Sequence, residues 1–245
     1  GNLLVTDNGS APVGADVVIG ADVISTGGNV NVISGRNISQ QGGADISSRG
    51  GDLYIDAGGD FTQTSGSFAI VENAGDLFIR SGGAISLESA RNFAGGRGDI
   101  AIQAVGNITP VNAAIFEVRG DQVSLLSTGG AVGAVANPLQ AEANGLAIGA
   151  AGNIVVSGVP GFPSLVFDKV PVLAANTLAA NGTVTGTIGP GAPVATGTTG
   201  GGSFVATAQS GGDVTFNATA SVSGAGVLVV EGDNVNVNNA VSTAG

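Results

Sequence analysis

The sequence predicts an all-β chain wound as a parallel β-solenoid, one coil per about 23 residues. Three observations predict it: a repeat that holds register, a period of two inside each repeat, and a composition suited to many short strands. Gly28 to Gly35, Gly51 to Gly58, Gly75 to Gly82 and Gly98 to Val105 begin 23, 24 and 23 residues apart. Each carries the same alternation of aliphatic and other residues, the mark of a strand with one buried face. With 44 glycines, 43% hydrophobic residues and only 10% charged ones, the chain has a core to bury but little that favours helix.

The columns carry the argument further. One aliphatic ladder runs Val30, Leu53, Leu77, Ile100, Val123, Leu146, and two residues later a second runs Val32, Ile55, Ile79, Ile102, Leu125, Ile148. Two residues on, every position is small: Ser34, Ala57, Ser81, Ala104, Ser127, Ala150. After a glycine-containing corner, a second strand enters through Asn37, Asp60, Ala84, Asn107, Ala131 and Asn153. It buries Ile38, Phe61, Ile85, Ile108, Val132 and Ile154. A single coil buries too little to offset the entropy of ordering it, so like must stack on like for the fold to exist. At about 4.8 Å per coil, roughly nine or ten coils make a rod near 45 Å long.

The repeat divides the chain into three stretches. Coils fill residues 1–156, where Asn2 to Val5 matches Asn29 to Val32 at a spacing of 27. Residues 157–202 hold Pro160, Pro163, Pro171, Pro190 and Pro193, and read as a proline- and glycine-rich insertion or distorted coils. Coils resume over 203–245, at Phe204 to Ala208 and again 23 residues on at Val227 to Val229. Beginning at Gly1 and ending in mid-pattern, the sequence reads as a segment of something longer.

Charge and missing residue types narrow the function. A net charge of −11, one lysine (Lys169) and six scattered arginines argue against nucleic acid, which needs clustered cations. No apolar run is long enough to span a bilayer as a helix. With no His and no Cys, Ser–His and Cys–His catalysis and zinc–thiolate sites are excluded. A pair of carboxylates is all that a glycosidase requires, so a polysaccharide-cleaving or polysaccharide-binding β-helix stays as an alternative.

The unit Gly-Asp/Asn-aliphatic-x-aliphatic-x-Ala/Ser-Gly-Gly-Asp/Asn-aliphatic, clearest from Gly51 to Phe61, Gly75 to Ile85 and Gly98 to Ile108, resembles repeats of the filamentous haemagglutinin-like family. Gly211 to Val214 and Gly232 to Val235 match its second half. The resemblance covers about four-fifths of the chain and leaves out the proline-rich stretch. It implies a right-handed parallel β-helix, secreted to the bacterial cell surface, serving as the shaft of an adhesin or extracellular fibre. Partners on that reading are neighbouring coils of a longer chain or copies of itself, together with host or cell-surface glycans or proteins. The assembly alternative is a filament or sheath subunit that stacks end to end.

Candidate sites are few. Arg97-Gly98-Asp99 and Arg119-Gly120-Asp121 are Arg-Gly-Asp tripeptides, a form integrins read on exposed loops. Because Gly-Asp opens nearly every repeat, the sequence favours a structural account in which Asp52, Asp76, Asp99 and Asp121 stack and Arg49, Arg97 and Arg119 balance them. The same four aspartates are the weak candidates for a structural calcium, although the calcium-binding nonapeptide is missing. No catalytic residue and no other cofactor is expected. Asn37, Asn107, Asn153 and Asp60 are expected to cap corners and form a side-chain ladder. The outward column Asn31, Tyr54, Phe78, Ala101, Ser124, Ala147 includes an aromatic pair expected to lie under a neighbouring loop or subunit. Asn-x-Ser/Thr triplets at Asn8, Asn37, Asn107, Asn181 and Asn217 follow from asparagine-rich turns.

Overall fold

The computed structural model describes the chain except residues 8–13, 74, 94–97, 113–116, 174–176, 179–183, 186–189 and 245, and describes 171–193 as backbone only. It is a β-solenoid of about nine coils with no helix among the described residues. Each regular coil has three strands, and equivalent strands stack into three parallel walls.

The first wall stacks Leu3–Thr6, Val30–Ser34, Leu53–Ala57, Leu77–Ser81, Ile100–Ala104, Gln122–Ser127 and Gly145–Ala150. Its register pairs Val30 with Leu53, Leu53 with Leu77, Leu77 with Ile100, Ile100 with Val123 and Val123 with Leu146. The predicted core ladder is therefore continuous, and all six side chains are buried in one hydrophobic cluster. Leu3 sits on Val30, which confirms the 27-residue first coil. The second wall stacks Val17–Ile19, Ile38–Gln40, Phe61–Gln63, Ile85–Leu87 and Ile108–Pro110. Bridges carry the Ile108 column on to Val132 and Ile154.

The third wall is an element the repeat alone did not separate. It stacks Val23–Ser25, Asp45–Ser48, Phe68–Val71, Ala90–Asn92, Val118–Arg119 and Leu139–Glu142. Its inner column (Val23, Ile46, Ala69, Ala90, Val118, Ala141) shrinks to alanine where Phe61, Ile85 and Leu77 supply bulk from the other walls. Glycine at the corner between the first two walls is set by proximity: a Cβ on Gly82 would collide with the carbonyl oxygen of Gly58 in the coil below. At the next corner Gly43 and Gly66 turn with φ of 79° and 83°, a backbone that a side chain disfavours.

The expected interruption over 157–202 is narrower than the prolines suggest. Leu165–Phe167 and Thr196–Thr198 together build one first-wall rung, each stacking on part of Gly145–Ala150. Between them the chain leaves the wall and returns, and the excursion contains antiparallel pairs of Pro171–Leu173 with Pro190–Pro193 and Thr177–Leu178 with Val184–Thr185. Pro171–Leu173 runs beside the outer side of Ile100–Ala104 and Gln122–Ser127. Above it the core turns aromatic: Phe167 and Phe216 stack at 5.0 Å and Phe204 meets Phe167 edge-on at 5.4 Å. Phe204 pairs with Leu228, a spacing of 24 and not the 23 that aligned it with Val227. Val214 and Val235 also stack on the first wall, where the repeat comparison had matched them to the unit's second half.

Candidate functional site

The aspartates that open the repeats are built into the backbone. Asn2 Oδ1 accepts the Asn29 amide (3.1 Å), Asn29 Oδ1 that of Asp52 (3.0 Å), and Asp52 Oδ1 that of Asp76 (3.0 Å). Asp76 Oδ1 accepts the Asp99 amide (3.0 Å) and Asp99 Oδ1 the Gln122 amide (3.2 Å). Asp121 does not belong to this column. Since Val123 pairs with Ile100, Gln122 stands above Asp99, and Asp121 lies one residue earlier, where its Oδ1 accepts from Asn144 Nδ2 at 2.6 Å. Burial pushes the carboxyls of Asp76 and Asp99 above the usual range, partly offset by those amide donors, and neighbouring aspartates push the same way.

Of the three arginines expected to balance that column, Arg49 and Arg119 turn elsewhere, and Arg97 lies outside the described residues. Arg49 pairs with Glu72 and Arg119 with Glu142, each at 3.1 Å, so amide N–H groups do the work assigned to cations. Among the described residues no three His, Cys, Asp or Glu side chains converge as a metal would require. The ladder at the corner between the first two walls is as expected: Asn37 Oδ1 accepts from the Asp60 amide, Asp60 from Ala84, Asn107 from Ala131 and Asn153 from Ser203, all at 2.7–2.8 Å.

Neither tripeptide forms an exposed loop among the described residues. Arg97 lies outside them. Gly98 and Asp99 are half-buried, and the Asp99 carboxylate is taken by the coil above. Arg119 belongs to a third-wall strand, Gly120 is buried, and Asp121 is tied to Asn144. The outward aromatic pair is also covered: Tyr54 and Phe78 stack at 5.2 Å with both rings buried, and Tyr54 donates to Asp56 Oδ2 at 2.9 Å. Arg80 Nε donates to Asp56 Oδ1 at 2.9 Å, and burial together with the Asp56 charge raises the Tyr54 hydroxyl pKa.

The chemistry-bearing groups gather instead on the outer side of the third wall. Its register puts Arg91, Arg119 and Glu142 one above another. The Arg91 guanidinium lies 4.8 Å over the Phe68 ring, and that of Arg119 lies 5.2 Å from Phe93 and 5.4 Å from Phe162. Phe93 and Phe162 are 39% and 47% exposed, so this ridge meets solvent through aromatic faces. Beside it Glu142, Asn144, Phe162 and Ser164 help to line a cleft of about 300 Å³. Beneath it, at the corner leading into the third wall, Glu88 and Glu117 are wholly buried. Burial pushes Glu117 up to about 8, two backbone amides oppose the rise, and the neighbouring charge of Glu88 adds to it.

Sequence reading missed this cluster because third-wall strands begin at uneven distances from the first wall. The available signal was Arg91 and Arg119 flanked by Phe93 and Glu117 in a chain otherwise poor in arginine and aromatics. No family model, curated protein or solved structure matches the chain.

Proposed function

We propose that the chain is a shaft segment of an extracellular bacterial surface fibre, a structural and adhesive β-solenoid that works without catalysis. One observation carries the reading: a single buried ladder runs unbroken in register from Val30 to Leu146, so the chain behaves as a rod. A rod holds what it displays at a fixed distance from its base, and its third wall offers solvent an aromatic and guanidinium ridge. The likeness of the repeat unit to filamentous haemagglutinin-like exoproteins supports the cell surface as its location. Antibodies raised against the 245-residue chain should label intact cells of the source bacterium, and the label should vanish after surface proteolysis. Labelling that requires permeabilised cells overturns the proposal.

A second reading, a subunit that stacks end to end, draws on the last coil. Val235 and Val237 are 46% and 56% exposed there, and Leu228–Glu231, Val235–Val237 and Val241–Thr243 each pair on one side only. Such edges accept a further strand, from the next winding of a longer chain or from a second copy. Concentration-dependent fibres in micrographs favour stacking, and a monodisperse monomer favours the shaft.

A further inference from the structure

The corner between the second and third walls holds two carboxyls that their neighbours satisfy only by half. Glu88 Oε1 accepts the Gly66 amide of the coil below at 3.0 Å. Glu117 Oε2 accepts the Gln140 amide of the coil above at 2.6 Å. Both side chains are fully buried, and the remaining oxygens, Glu88 Oε2 and Glu117 Oε1, have no hydrogen-bond partner among the described residues. Ala90 pairs with Val118, so the two glutamates enter adjacent rungs of the third wall.

A buried, ionised carboxylate with one unanswered oxygen is costly, and two of them one coil apart repel. The groups around them do not resolve the problem. Arg119 is ion-paired with Glu142 on the rung above, and Arg91 lies over Phe68. Arg91 is itself opposed by Arg119 and drawn by Asp45 and Glu88, and its Nε is buried without a hydrogen bond. Neither guanidinium donates to the two orphaned oxygens.

We propose that Glu117 is a buried proton site, its carboxyl protonated beside the buried Glu88, which keeps this corner closed at neutral pH and loosens it in alkali. Burial pushing Glu117 up to about 8 agrees with that geometry. The sign follows from a folded-state value above the ordinary 4.5. The fold holds an extra proton, its contribution is complete below about 4.5, and it drains away as pH rises to about 8. Over that window one proton changes the folding constant by at most about tenfold per pH unit.

The test is carboxyl-carbon NMR of the 245-residue chain labelled in glutamate, with Glu117 assigned through E117Q. A midpoint near 8, together with faster hydrogen exchange of the Gln140 amide above it, is the expected result. Glutamine offers the same carbonyl to Gln140 and an N–H toward Glu88, so E117Q should fold at pH 7. Its folding constant should fall less steeply between pH 5 and 8 than that of the parent. A Glu117 titration in the ordinary carboxylate range, or an E117Q variant that keeps the parent slope, overturns the proposal. Dialysis against chelator followed by calcium distinguishes a cation from a proton: restored melting temperature in the parent but not in E117Q assigns the site to metal and overturns it too. Should E117Q fail to fold, E88Q leaves the Gln140 contact in place and must lower the Glu117 midpoint. An unchanged midpoint there overturns the proposal.

Discussion

At the scale of single residues, an aspartate in this wall is first a hydrogen-bond acceptor and only second a charge. Asp76 shows the difference. Its Oδ1 takes the Asp99 amide of the next coil, while burial raises its carboxyl above the usual range and makes the ionised form the costly one. Asp76→Asn keeps the acceptor and removes the charge, so at pH 7 it should be as stable as the parent or more so. Asp76→Ala abandons a half-buried amide and should cost about 1–3 kcal/mol, read from urea unfolding midpoints. The repeat made this residue legible as part of a column. It did not tell Asp121 from its neighbours, because Arg-Gly-Asp at 119–121 imitates the pattern while the strand register hands the column to Gln122. A tripeptide is local, and register is set by the buried face several residues away.

At the scale of elements, the walls differ in how plainly they are written. The first wall was readable because alternate positions are aliphatic on every rung and small where the corner tightens. The second corner adds a pair invisible to such patterns, Gln40 and Gln63, wholly buried beside apolar neighbours. Gln63 Nε2 donates to Gln40 Oε1 at 3.0 Å, and Gln63 Oε1 accepts the amides of Glu88 and Ser89 at 2.9 and 3.0 Å. These bonds satisfy the turn into the third wall where backbone pairing lapses. Leu87 follows on the next rung, so Gln63→Leu fits by shape and removes hydrogen bonding alone. It should destabilise by at least about 2 kcal/mol in denaturant titrations, since two buried amides lose their acceptor. The third wall and its arginine–phenylalanine ridge stayed illegible for the converse reason. Half of its inner residues are alanine, and turns of unequal length precede them.

At the scale of the whole molecule, four carboxyls move in one direction. Asp45, Asp76 and Asp99 are raised, in each case by burial first, and Glu117 is pushed up to about 8. A raised carboxyl means that the folded chain binds protons more tightly than the unfolded one, so stability falls as pH climbs from the ordinary carboxylate range. With a net charge of −11 at pH 7, acid also relieves self-repulsion. The thermal midpoint should therefore be higher at pH 5 than at pH 8 at constant ionic strength, and scanning calorimetry at the two values checks it.

The side-chain ladders also have a direction. In the run from Asn2 to Gln122 each oxygen belongs to the earlier winding and each amide to the later one, and the ladder from Asn37 obeys the same order. A winding added on the carboxyl side thus brings its corner amides to side-chain oxygens already in place, while its own carbonyls answer amides left waiting by the winding below, such as those of Val30 and Leu53.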